Sequence, residues 1–153
     1  MRNVSILVLS MVAILPMVSG CGKSDVVVTE VAKSKAGLNG GVAFPLPESQ
    51  GYAELVVERG KPGQPVVIAV YLLDDTATKA MTAKASSIKA TLQLPTDPEP
   101  KPVTFTEKPK AGGKPPIGTR FATAPGPYDF DELQGDIFVT IDGKELTVPF
   151  ALR

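Results

Sequence analysis

The chain has 153 residues, enough for one domain with a real core and too few for two ordinary ones. Sixteen Lys and Arg balance sixteen Asp and Glu, and these charges are scattered, so the sequence lacks the basic cluster that nucleic-acid binding needs. There is no His and no Trp, Cys21 is the only cysteine, and fifteen prolines with fourteen glycines suit short strands and turns better than helices.

Met1-Arg2-Asn3 opens the chain with a basic residue, and an apolar run over residues 4–18 follows, broken only by Ser5, Ser10 and Pro16. A membrane-spanning helix needs about 20 apolar residues, whereas this shorter run has the length of a signal-peptide core. Val18-Ser19-Gly20-Cys21 comes next and resembles the lipobox of bacterial lipoproteins: an aliphatic residue, two small residues, then Cys. Small side chains let an extended backbone enter a narrow peptidase site, and the thiol sulfur is the nucleophile that can carry a diacylglyceryl group. The resemblance implies export, cleavage between Gly20 and Cys21, and lipidation of Cys21 as the first mature residue. Removal of residues 1–20 takes Arg2 with it and leaves 15 basic side chains against 16 acidic ones. Gly22 stands where Asp tends to retain lipoproteins of double-membraned bacteria in the inner membrane. The lack of Asp there favours the outer membrane over the inner one in a double-membraned organism, on its periplasmic side or at the cell surface.

Residues 21–41 read as a lipidated N-terminus and flexible linker, with a short strand expected at 25–29. A coil of ~20 residues spans roughly 25 Å. Strand patterns follow at 52–58, 66–73, 88–94, 103–106, 118–122, 136–141 and 144–150. Residues 66–73 are apolar on both faces, as in a central strand, while Ile88, Ala90, Leu92 and Leu94 alternate inward. Asp142-Gly143 is a two-residue hairpin signal of type I′. Residues 76–85 hold helix formers without an apolar face and read as a loop with at most one helical turn. The proline-rich stretches 95–102 and 109–116 read as extended surface loops, because proline cannot serve an interior ladder. The expected architecture is all-β: a single immunoglobulin-like β-sandwich of about seven short strands over residues 42–153, without the disulfide and core Trp of antibody domains.

Four carboxylates concentrate at Asp129, Asp131, Glu132 and Asp136, a candidate calcium loop because hard cations take several oxygen ligands. The spacing is not that of an EF-hand, and the plainer reading is a solvated acidic loop anchored by Phe130 and Leu133. Asp74-Asp75 offers paired carboxylates, but adjacent residues at a strand end point apart and form turns. Arg120 can hold a carboxylate or an anion with its planar fork, and the plainer reading is an Arg that lies over the sheet surface with its stem packed. Ser86, Ser87, Thr91 and Thr106 offer hydroxyls, yet a nucleophile needs a base, and without His the Ser-His-Asp and Cys-His arrangements are excluded. Cofactor sites built on His or Cys are improbable for the same reason. No catalytic residue and no cofactor is expected.

Asn39-Gly40-Gly41 with Pro45-Leu46-Pro47, Gly51-Tyr52-Ala53-Glu54, Val70-Tyr71-Leu72-Leu73-Asp74, and Thr119-Arg120-Phe121 with Ile141-Asp142-Gly143-Lys144 occur in this order. Together they resemble a family of small exported bacterial β-sandwich proteins, many of them lipoproteins and without an established activity. That family tends to carry His just before the Gly-Gly and beside the Tyr-Ala-Glu-like segment, where this chain has Asn39 and no His. The resemblance implies a fold and a tether, and implies that any metal role of those histidines is absent here. The expected function is a non-catalytic binding or structural module held to an envelope membrane by its lipid, with an envelope protein as a possible partner. The alternative is a carrier or sensor for a small ligand or a hard cation such as calcium, using residues 129–136. Sheet edges and proline-rich loops are natural partner surfaces.

Overall fold

The computed structural model describes residues 33–62, 64–110, 112–129 and 132–152. The expected signal segment, Gly20, Cys21, the strand at 25–29, Phe130 and Asp131 lie outside the described residues. Nine strands are present among those described: β1 (Lys35–Ala36), β2 (Val42–Pro45), β3 (Tyr52–Glu58), β4 (Val67–Leu73), β5 (Ala85–Gln93), β6 (Lys101–Glu107), β7 (Arg120–Ala122), β8 (Leu133–Ile141) and β9 (Lys144–Leu152). The all-β expectation holds. Each of the seven predicted strands has its counterpart, and β1 and β2 are additional.

The strands form one antiparallel sheet in the order β1-β2-β3-β4-β7-β6-β5-β8-β9. The ladder is unbroken, so the two layers expected of an immunoglobulin-like sandwich are here two halves of a single curled sheet. The halves join through β6 and β7, which share only the pairs Thr106↔Ala122 and Glu107↔Phe121. Curling brings the far ends together: the rings of Phe44 on β2 and Phe150 on β9 meet edge to face, 6.0 Å between centroids.

Period-2 alternation explains the core. Ile88, Ala90 and Leu92 on β5 and Leu146, Val148 and Phe150 on β9 are buried, and they share one cluster with Leu55, Ile68, Val70 and Leu72 from the other half. β4 is buried on both faces, as its continuous apolar run requires. Its second face packs Tyr71 and Ala69 with Val56 and Ala122, and Leu73 with Ala43 and Ala77.

Prolines mark ladder ends and edges. Pro102, read from sequence as part of a loop, lies within β6 opposite Thr91, where β7 does not reach the strand's other side. Pro149 lies in β9, an outermost strand. The other outermost strand, β1, is two residues long. The β8–β9 hairpin turns at Asp142 (φ 50°) and Gly143 (φ 79°), both positive as a type I′ turn demands. Residues 76–84 form turns and bends with no helical turn. Asp74 organises this segment by accepting from the amides of Thr78 (2.8 Å) and Lys79 (3.2 Å) and from the Thr76 hydroxyl (2.9 Å).

Phe150 closes the curl, so its truncation leaves a void between the two halves. Phe150→Ala should lower stability by about 3–5 kcal/mol, read as a drop in the urea midpoint at unchanged slope.

Candidate functional site

β3 places Tyr52, Glu54, Val56 and Glu58 on the outer face of the first half-sheet and Ala53, Leu55 and Val57 toward the core. Strand register then builds a row across that outer face: Ala43 on β2, Glu54 on β3, Tyr71 on β4 and Arg120 on β7 are successive partners. The alternation predicts one buried face for β3, but Glu54 is 0 % exposed. What buries it is the chain segment ahead of β2.

Residues 37–41 fold across Glu54. Its carboxyl group accepts from the backbone amides of Leu38 (3.1 Å), Asn39 (2.7 Å) and Gly41 (3.0 Å), and from the Asn39 side chain (2.9 Å). The glycines permit this approach: a Cβ at Gly37 would collide with the Glu54 carboxyl, and one at Gly41 with the Leu55 carbonyl. Burying a carboxyl group is costly unless hydrogen bonds replace its water, and four N–H donors do so here. Residues 35–41, read from sequence as the end of the linker, are thus held to the sheet.

Asn39 extends the connection. Its side chain donates to the Ile117 carbonyl (3.2 Å) and accepts from the Ile117 amide (2.8 Å), pairing with the backbone of the proline-rich loop. Glu54, residues 38–41 and the loop end at Ile117 therefore form one continuous hydrogen-bonded unit.

Beside it lies a second network. Arg120 donates from Nε to Glu58 Oε1 (3.1 Å) and from Nη2 to Oε2 (2.5 Å), a two-point pairing, and its Nη1 donates to the Lys108 carbonyl (3.2 Å). The Tyr71 hydroxyl donates to Glu58 Oε1 at 3.3 Å. Three readings stand open for Arg120 in the sequence, a carboxylate partner, an anionic ligand or a stem packed over the sheet surface, and the structure pairs it with the Glu58 carboxylate. Burial pushes the Glu58 carboxyl up, but the Arg120 donors and charge, the charge of Lys110 and the Tyr71 hydroxyl outweigh it and hold the group below its ordinary value. Burial, then the neighbouring Glu58 charge, pushes Tyr71 up to about 12.

Between these networks opens a hollow of about 180 Å³ lined by Leu38, Asn39, Tyr71 and the loop residues Lys110, Lys114, Pro115, Pro116 and Ile117. A shallower depression of about 460 Å³ adjoins it along Lys108, Lys110 and Arg120. Lys108, Lys110 and Lys114 are exposed. These groups can hold an acidic or amphipathic surface. They offer charge and apolar contact.

The other sequence candidates do not converge. Asp129 pairs with Arg59 at 2.7 Å, Glu132 is exposed, and Asp136 stands in β8 opposite Thr91 and Pro149. Among the described residues no three of His, Cys, Asp and Glu gather as a metal site. Asp75 is exposed at the turn that Asp74 organises. Ser86 sits at a bulge in β5 and donates to the Thr140 carbonyl at 3.3 Å; Ser87 and Thr91 are ladder residues of β5, and Thr106 of β6. Sequence reasoning singled out Arg120 and missed Glu54, Glu58, Tyr71 and Asn39. The available signal was three glycines around Asn39, followed by a carboxylate in the middle of a strand.

Glu54→Gln puts an NH₂ group against N–H donors and leaves buried polar groups unsatisfied. Stability should fall by about 2–3 kcal/mol in denaturant unfolding. For Tyr71 the folded value lies above the ordinary 10.0, so its contribution is complete below pH 10 and is lost as pH climbs towards about 12. An alkaline titration should show part of the tyrosinate absorbance delayed to about pH 12, and Tyr71→Phe should remove that part.

No protein-family model, no curated protein and no solved structure matches the chain.

Proposed function

We propose that the protein is an exported lipoprotein, anchored through acyl chains on Cys21, whose β domain is a non-catalytic binding module at an envelope membrane. The observation that carries this reading is Val18-Ser19-Gly20-Cys21, which begins on the last residue of the 15-residue apolar run 4–18 that follows a basic N-terminus. Two or three acyl chains hold a protein stably on a bilayer, since each buried CH₂ contributes about 0.8 kcal/mol. The binding role draws support from the exposed hollow of Leu38, Ile117, Lys110 and Lys114, and from how Glu58 and Asn39 commit their side chains to structural partners. The absence of Asp after Cys21 favours the outer membrane over the inner one.

Metabolic labelling with an alkyne fatty acid should mark the wild-type protein and not Cys21→Ser, and the mature mass should correspond to a chain beginning at residue 21. A soluble, unacylated mature protein would overturn the anchor. A photo-crosslinking residue in place of Glu99, at the opposite end of β6 from the hollow, should trap discrete envelope proteins in cells if that loop is a partner surface. Labelling of bulk neighbours alone counts against a protein partner there.

A further inference from the structure

Leu38 and Ile117 are the large hydrophobic side chains left exposed among the described residues, each at 37 %. They come from distant parts of the chain, yet both line the same hollow. The arrangement is fixed: Glu54 holds the amides of Leu38 and Asn39, and Asn39 pairs with the Ile117 backbone. Scattered exposed apolar residues need no explanation, but two brought together by a buried carboxyl group and a paired amide form a built surface.

The surroundings are basic. Lys110 and Lys114 line the hollow, and among the described residues no carboxylate does. Lys108 stands in the adjoining depression, where Arg120 is neutralised by Glu58 and Glu107 is the remaining acid. Lys110 comes within 4.0 Å of Glu58, whose two oxygens Arg120 already engages. In a chain of zero net charge this is a local positive excess beside an apolar patch.

Chain length supplies the second argument. Leu38 lies 17 positions after Cys21, so the anchor-bearing segment leads directly into this face. Residues from 35 on are held to the sheet, so the path from Cys21 to β1 is fourteen positions long and reaches at most ~50 Å. Lys33 and Lys35, both exposed, precede the patch on the same segment. A face joined so closely to a lipid anchor meets the bilayer at high effective concentration.

We propose that this face is a membrane-docking surface. Leu38 and Ile117 enter the headgroup layer of an anionic phospholipid bilayer, and Lys110 and Lys114 contact its phosphates. This rests on the reading that Cys21 carries the lipid anchor. The domain then lies against the membrane in one orientation. The proline-rich loop 95–100, at the other end of β6, is turned away from it.

The test uses the acylated mature protein in vesicles. Cys21 is the only cysteine and its sulfur is acylated, so Leu38→Cys, Ile117→Cys and, on β9, Thr147→Cys each present a single thiol for an environment-sensitive fluorophore. In vesicles containing phosphatidylglycerol, labels at 38 and 117 should shift to the blue and be quenched by spin-labelled lipid, while the label at 147 stays aqueous. Phosphatidylcholine alone should reduce the quenching, and Lys110→Ala with Lys114→Ala should weaken docking roughly fivefold per lysine. Leu38→Glu should release the label at 117. Aqueous signals at 38 and 117 in a protein that carries the acyl mass and floats with vesicles overturn docking and leave the anchor standing. Protection of those labels only by added envelope protein, or only as protein density rises, overturns it in favour of a protein partner or a second copy. A protein without the acyl mass overturns the anchor, and docking with it.

Discussion

The Glu54 carboxyl takes four N–H donors from a segment too rich in glycine to hold a regular strand of its own. In a low-dielectric setting each of those bonds is stronger than its counterpart in water, and each left unmade is correspondingly costly. Glu54 thereby does for residues 38–41 what a ladder does for a strand. It fixes Asn39, Asn39 fixes Ile117, and the start of the described chain becomes continuous with a loop nearly eighty residues away. The outer face of the first half-sheet owes its shape to this chain of bonds.

Beside it, the Arg120–Glu58–Tyr71 cluster follows a different logic. The charges satisfy one another through a two-point pairing, and the tyrosine hydroxyl completes it. Such a group fixes geometry and leaves little charge over. The positive charge that remains for an external surface is therefore carried by lysines of the proline-rich loop, long flexible side chains that adapt to a partner more readily than a guanidinium locked to its carboxylate.

Much of the fold was legible because apolar alternation is a local signal. Ile88, Ala90 and Leu92, and Leu146, Val148 and Phe150, point inward as their spacing requires, and Asp142-Gly143 turns as its two residues dictate. The order of strands was not legible. It depends on which edges meet once the sheet curls, and Phe44 meeting Phe150 leaves no trace in either strand's own pattern. Pro102 shows the limit of residue-by-residue rules: it belongs to a strand because the neighbouring ladder stops short of it, a fact about β7. The site was less legible still. Arg120 carried a recognisable chemistry, whereas Glu54 resembled a solvent-facing residue of an alternating strand. Its burial comes from a covering segment whose only signature was its glycines. Of the acidic run, Asp129 was claimed by Arg59, an ion pair formed across some seventy residues of chain.

The two outermost strands among the described residues bear on how copies of the domain meet. An open strand edge is a template for the next copy. Here one edge is a two-residue strand, and the other contains Pro149, which has no amide to offer, and curls toward β2. Among the described residues both ends of the sheet thus hinder strand-by-strand growth into fibres. Such a domain can be concentrated and remain a population of separate molecules.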